Sequence, residues 1–304
     1  MRARCAAWVL ALALTLVTPA AAQPVDDLQA ADALVQTIGW RLSHANARQC
    51  ARGAPGIGLL LGDVQTFADP AAVRAAYGLS GDVAIAAVAE GSPAAAAGLA
   101  ANMVVTAVAG QAIGPPPRHG SWDRVWALQA RLEQVAAQSG EVALTLADGR
   151  VVTVKAVPSC AVRFIVDDAR DNAGATRTQV RIGREELVRL GGDEAMIAAL
   201  VAHELAHAAL DHETLLGPGD RPVAAVRRTE READRLSVWL LANAGYDPDA
   251  ALRMIRLIGP HGLFVIAAPS HGKASTRARE MAAEIAVMRA APDRDWAARF
   301  HREF

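Results

Sequence analysis

The run His203-Glu204-Leu205-Ala206-His207 has chemical content. On a helix, histidines four apart share a face, so both imidazoles reach one metal ion, and the glutamate between them is placed to take a proton from a metal-bound water. Zinc chemistry asks for a third protein ligand and one open position. The run Glu230-Arg231-Glu232-Ala233-Asp234, beginning 23 residues after His207, offers it. Glu230 and Asp234 are four apart and share a face, whereas Glu232 points elsewhere. In this reading His203, His207 and Glu230 hold one Zn2+ per chain, Glu204 is the catalytic base, and Asp234 orients a ligand imidazole. The plain alternatives are a surface helix that happens to carry two histidines, and an ion-paired surface helix among Arg227, Arg228, Arg231 and Arg235.

These residues need helices to align them. Gly191-Gly192 breaks the preceding segment, Asp193 is a candidate N-cap, and Met196, Ile197, Leu200, Val201 and Leu205 supply an apolar face. Leu236, Trp239 and Leu240 do the same for the second run. His212 and His261 read as solvated or turn residues, and His44 and His119 have no partner pattern. Upstream, Leu28, Leu34, Val35, Ile38 and Leu42 predict an amphipathic helix over 26–48. The region 53–158 is β-rich, with strands predicted at 83–88, 104–108, 142–146 and 151–157. Asp148-Gly149 is a hairpin signal, and a helix is predicted over 122–137 behind Ser121. After Val162 come two strands and then mainly helices, so the class is α+β.

Three stretches carry a family resemblance: DEAMIAALVAHELAHAALDH around the first motif, EREADRLSVWLLANAGYDP around the second, and Ser270-His271-Gly272 with Arg277. Together they make residues 160–304 resemble the gluzincin metallopeptidases of the HtpX and BepA type, relatives of the CAAX prenyl endopeptidase. The resemblance implies a mainly helical zincin-like domain with a small β-sheet. It makes His271 a catalytic residue near the water or the developing oxyanion, with Arg277 supporting the site. Gly272 stands where the family has proline, and capping of the next helix is the alternative role for His271.

The middle region resembles a bacterial PDZ domain through Glu90-Gly91-Ser92-Pro93-Ala94, Ala97-Gly98-Leu99 and the run 104–110. Asn102-Met103 replaces the usual Gly-Asp. The resemblance implies that Gly56, Ile57, Gly58 and Leu59 form the loop that holds a C-terminal peptide carboxylate. An alanine-rich α/β module without peptide binding is the alternative.

Arg2 and Arg4, an apolar stretch from Ala6 to Val17 and small residues ending at Ala22 form a secretory signal, with cleavage after Ala22. An uncleaved anchor is the alternative. Export leaves Cys50 and Cys160 as an even pair in an oxidising compartment, hence a predicted disulfide that closes a loop of about 110 residues; two free thiols are the alternative. The expected organisation is a signal at 1–22, a protease-domain helix at 23–50, a PDZ-like insertion at 53–158 tethered at one base, and a zinc metallopeptidase domain at 160–304.

The 304 residues are 52% hydrophobic and 21% charged, with formal net charge −1. That balance excludes a largely disordered chain and offers no basic footprint for nucleic acid. No apolar run of spanning length follows the first segment. The chain therefore reads as an exported, periplasmic zinc endopeptidase acting on protein or peptide substrates in envelope protein quality control. An extended substrate would add to the strand at 178–182. The competing class is a dead protease scaffold that serves as a peptide-binding or chaperone-like module.

Overall fold

The computed structural model describes residues 28–50, 52–116, 118–168, 172–257 and 272–304; the expected signal at 1–22, His261 and His271 lie outside the described residues. In chain order the first elements are α1 (Leu28–Ala45), β1 (Gly53–Gly56), β2 (Leu59–Asp63), α2 (Pro70–Tyr77), β3 (Val83–Val88) and α3 (Pro93–Ala96). Next come β4 (Val105–Val108), β5 (Gln111–Ala112), α4 (Asp123–Ser139), β6 (Glu141–Leu146), β7 (Val151–Lys155) and β8 (Val157–Cys160). The remainder comprises β9 (Arg163–Asp167), β10 (Gly174–Ala175), β11 (Gln179–Gly183), α5 (Arg184–Arg189), α6 (Glu194–Ala209), α7 (His212–Leu216), α8 (Val223–Asn243), α9 (Asp249–Leu257), α10 (Ala274–Ala290) and α11 (Trp296–Arg299). The architecture is mixed α+β with small sheets.

Two apolar cores form among the described residues. The first gathers β2, β3, β4, β6 and α4 around Ile57, Ile85, Val108, Leu132 and Leu144. In β6 the alternation puts Val142, Leu144 and Leu146 inward, the period of a half-buried strand. A four-stranded antiparallel sheet runs β5-β4-β6-β7, and β2 pairs with β3. The β6–β7 hairpin turns at Asp148-Gly149, where Gly149 takes φ +85°. Helix α4 begins at Asp123, whose N–H donates to Ser121 Oγ at 3.1 Å.

The second core surrounds α6. Every residue from Ile197 to Ala206 is buried, because α1, α8, α9 and the β10-β11-β9 sheet pack around that helix. Strand β11 is the central strand, parallel to β9 and antiparallel to β10. Edge addition of a substrate at 178–182 is therefore excluded: both of its edges are already paired. Sequence periodicity does not reveal this, because the covering strand β10 is two small residues long.

Helix α1 serves both cores. Val35, Ile38 and Leu42 enter the second. Gly39 lets Phe164 of β9 close on the helix, since a Cβ there would stand 2.2 Å from the ring. On the other side Trp40 packs at Gly56 and Gly58, the Glu90 N–H donates to Thr37 Oγ1 at 3.1 Å, and Gln29 bonds Asn102 at 2.8 Å. Arg163 adds a two-pronged pair with Glu133 of α4. The 53–158 region is thus fastened along α1 and at β9, rather than tethered at one base. That base itself is an antiparallel pairing of β1 with β8 and the Cys50–Cys160 disulfide, with Cα atoms 5.6 Å apart.

Candidate metal centre

The site begins with the cap of α6. The Asp193 carboxylate accepts the Met196 N–H at 3.1 Å, which starts the helix in register so that His203 and His207 fall one turn apart on its α8-facing side. The two Nε2 atoms lie 3.2 Å apart. Helix α8 brings Glu230, whose Oε2 is 3.6 Å from His203 Nε2 and whose Oε1 is 3.6 Å from His207 Nε2. One ligand atom from each residue lies within 4.8 Å of the others, so the three form a possible metal-binding triad. The donor set of two imidazole nitrogens and one carboxylate oxygen suits zinc. Nitrogens held at about 2.0–2.1 Å from one ion at a near-tetrahedral angle are separated by roughly 3.3 Å, which the histidine pair matches.

Each histidine is held from behind. His203 Nδ1 is 3.0 Å from Asp234 Oδ1, and Arg277 grips the same carboxylate through Nε at 2.6 Å and Nη2 at 2.7 Å. Arg277 Nη2 also stands 3.8 Å from Glu230. His207 Nδ1 meets His212 Nδ1 at 2.9 Å, and His212 Nε2 meets Glu232 Oε2 at 3.0 Å. Residues 302–303 complete this second chain: Arg302 Nε reaches Glu232 Oε1 at 2.9 Å, and the Glu303 N–H donates to the same oxygen.

His212 is thus no solvated turn residue; it is 2% exposed. After α6 ends, Asp211 adopts φ +53°, which folds the chain back so that α7 starts with His212 beneath His207. Aspartate tolerates the left-handed region better than most residues. Nothing in the residue types announces that turn.

Charge is concentrated here. Burial raises the Glu204 carboxyl to about 7, and the neighbouring Glu230 pushes the same way. Burial works against protonation of His203, but Asp234 and Glu230 overcome it and hold its pKa well above the usual imidazole range. At His207 burial dominates and lowers the value to about 3. Burial would raise Asp234, yet Arg277 and His203 bring it down to about 2. The result is a buried nest of carboxylates and imidazole nitrogens that favours a cation.

No family model, curated protein or solved structure matches the chain.

The triad opens into a cleft of about 360 Å³ lined by Glu204, Thr229, Arg221, Met254 and the β10 segment Ala173–Thr176. Arg277 lines it too, with its Nε and Nη2 engaged by Asp234. Gly56, Ile57, Gly58 and Leu59 lie elsewhere, around a smaller hollow with Trp40 and Ser159. That loop is packed rather than open: a Cβ at Gly58, where φ is +71°, would stand 2.3 Å from Ser92 Cβ, and one at Gly56 would stand 2.8 Å from Ser159 Oγ. The outer edge of β2 is also occupied. Gln129 of α4 accepts the Leu61 N–H at 3.1 Å and donates to Leu59 O at 3.3 Å. His44, also without a partner pattern in the sequence, stacks on Trp40, and its Nδ1 lies 2.8 Å from Pro158 O.

Proposed function

We propose that the chain is an exported zinc-dependent endopeptidase, with a PDZ-like insertion that selects or gates protein substrates. The observation that carries the reading is the convergence of His203, His207 and Glu230 at one point of a cleft that Glu204 also lines. A zinc ion held by those three residues would supply Lewis acidity to a substrate carbonyl and acidity to a water. The Glu204 carboxyl, raised by burial to about 7, is matched to taking a proton from that water and passing it to the leaving amine. Asp234 and Arg277 hold the His203 ring in orientation, and Leu200, Met254 and Ile255 supply an apolar part of the cleft wall.

Export is supported by the signal-like first segment and by the Cys50–Cys160 bond, which suits an oxidising compartment. Among the described residues no helix is long and apolar enough to cross a membrane. Gluzincin-like and PDZ-like folds remain the best accounts of the two cores, with the resemblance of their motifs as the support.

The experiment is a metal analysis paired with peptide cleavage. We expect one zinc per chain, lost in His203→Ala, His207→Ala and Glu230→Ala. Glu204→Gln keeps the metal and abolishes hydrolysis. Cleavage that survives in Glu204→Gln overturns the mechanism, and a wild-type chain without zinc overturns the reading.

A further inference from the structure

The chain behind His207 has a protonation logic of its own. Two imidazole nitrogens 2.9 Å apart share one proton: one donates and the other accepts. Glu232 is fully buried, and its carboxylate can only accept, which places a proton on His212 Nε2. With its ring proton on Nε2, His212 presents the Nδ1 lone pair to His207 and accepts from His207 Nδ1–H. His207 in turn keeps the lone pair of Nε2 facing Glu230 and His203, the form a metal requires.

Glu232 does not hold this arrangement alone. Arg302 and the Glu303 amide fill its Oε1 side, and Arg302 also reaches Leu210 O, the residue that ends α6. The 301–304 segment is pinned onto α8 by arginines that a sequence reading leaves to solvent. Arg231 pairs with the Glu303 carboxylate, Arg235 reaches Glu303 and His301 O, and Arg228 lies 4.5 Å from the Phe304 ring centroid.

We propose that residues 302–303 are a remote positioning element of the metal centre: they hold Glu232 so that His212 fixes the ring and tautomer of His207. This rests on the metal site proposed above. Removing His212 frees His207 to rotate and to carry its proton on Nε2, where it blocks the metal. Loosening Arg302 leaves Glu232 underheld and transmits the same defect more weakly.

The test measures Zn2+ affinity by competition with a chelator and records the visible spectrum of the Co2+-loaded protein. It uses the full chain as wild type, His212→Ala, His212→Asn and Arg302→Ala, each checked for folding by circular dichroism. We expect His212→Ala to bind zinc about 10–100-fold more weakly and to show an altered Co2+ spectrum. Asn can place a carbonyl oxygen where Nδ1 stands, so His212→Asn recovers most of the affinity. Arg302→Ala shifts affinity in the same direction by less, and it decides the matter if His212→Ala fails to fold. Variants that match the wild type overturn the proposal, as does equal loss in His212→Ala and His212→Asn, which would reduce His212 to packing. A wild-type chain that takes up no zinc is a different failure, that of the metal site itself.

Discussion

Asp234 stands between His203 and Arg277, 3.0 Å from the ring nitrogen of one and 2.6 Å from Nε of the other. With Asp234 1% exposed and Arg277 11% exposed at the side chain, the pair is a buried charge couple whose partners depend on each other. Asp234→Ala takes from the guanidinium the carboxylate it grips directly and leaves it buried beside His203 with Glu230 3.8 Å away. We expect a loss of about 3–5 kcal/mol in denaturant unfolding. The double variant Asp234→Ala/Arg277→Ala should lose much less than the sum of the singles, and strict additivity would show that the two are not coupled.

Glu232 sets an acid limit. Burial opposes its charge, but His212, Arg302 and the Glu303 amide together lower its pKa from 4.5 to about 2. A carboxyl depressed in the folded state contributes stability above its unfolded pKa and loses it as the pH falls through the folded value. That contribution is present at pH 6 and lost between about pH 4.5 and 2. Melting curves of the wild type and Glu232→Gln should therefore converge on acidification across that window. Curves that stay parallel would mean the carboxylate is not held as described.

The disulfide carries its own forecast. Cys50 and Cys160 close a loop with a sequence separation of 110. Losing it in Cys50→Ala/Cys160→Ala should cost about 4–5 kcal/mol in the chain-entropy account. Protein recovered without reductant should show no labelling at either thiol, and labelling at both would remove the bond from the native state.

Gln129 is the side chain that finishes β2. Replacing it by alanine strips partners from the Leu61 N–H and the Leu59 carbonyl, on residues that are both buried. We expect a destabilisation of about 1–3 kcal/mol and faster hydrogen exchange at the Leu61 amide. Unchanged protection there would show that another group, not Gln129, satisfies the edge.

What the sequence discloses and what it hides divide along physical lines. Spacing of four on a helix is a local rule, so His203 with His207 and Glu230 with Asp234 can be paired on faces without knowing the fold. Caps are equally local, and Asp193 sits where its carboxylate is needed. The strand at Val83–Val88 is legible because it is a short continuous apolar run carrying β-branched Val83, Ile85 and Val88. His212 is hidden because its burial depends on a left-handed Asp211 and on residues 302–303, ninety positions away. Strand β10 is hidden because Gly174 and Ala175 carry no β signal and pair only through β11. Gln129 reads as a polar position on an amphipathic helix; its bonds to β2 exist only once α4 has docked. His271 is motif-derived and lies outside the described residues.

The closure at Cys50 and Cys160 makes the intervening chain a covalent ring with one continuous backbone and one sulfur bridge. Arg118 and His119 lie exposed on the connection between β5 and α4. A tryptic cut after Arg118 would open the ring without dividing the molecule, because the piece ending there stays bound through Cys50 to the piece that holds His203, His207 and Glu230. On a denaturing gel such a nicked chain runs as one band until reductant is added, and then as two. A protein exposed to the proteases of its own compartment could be clipped there and remain a single molecule.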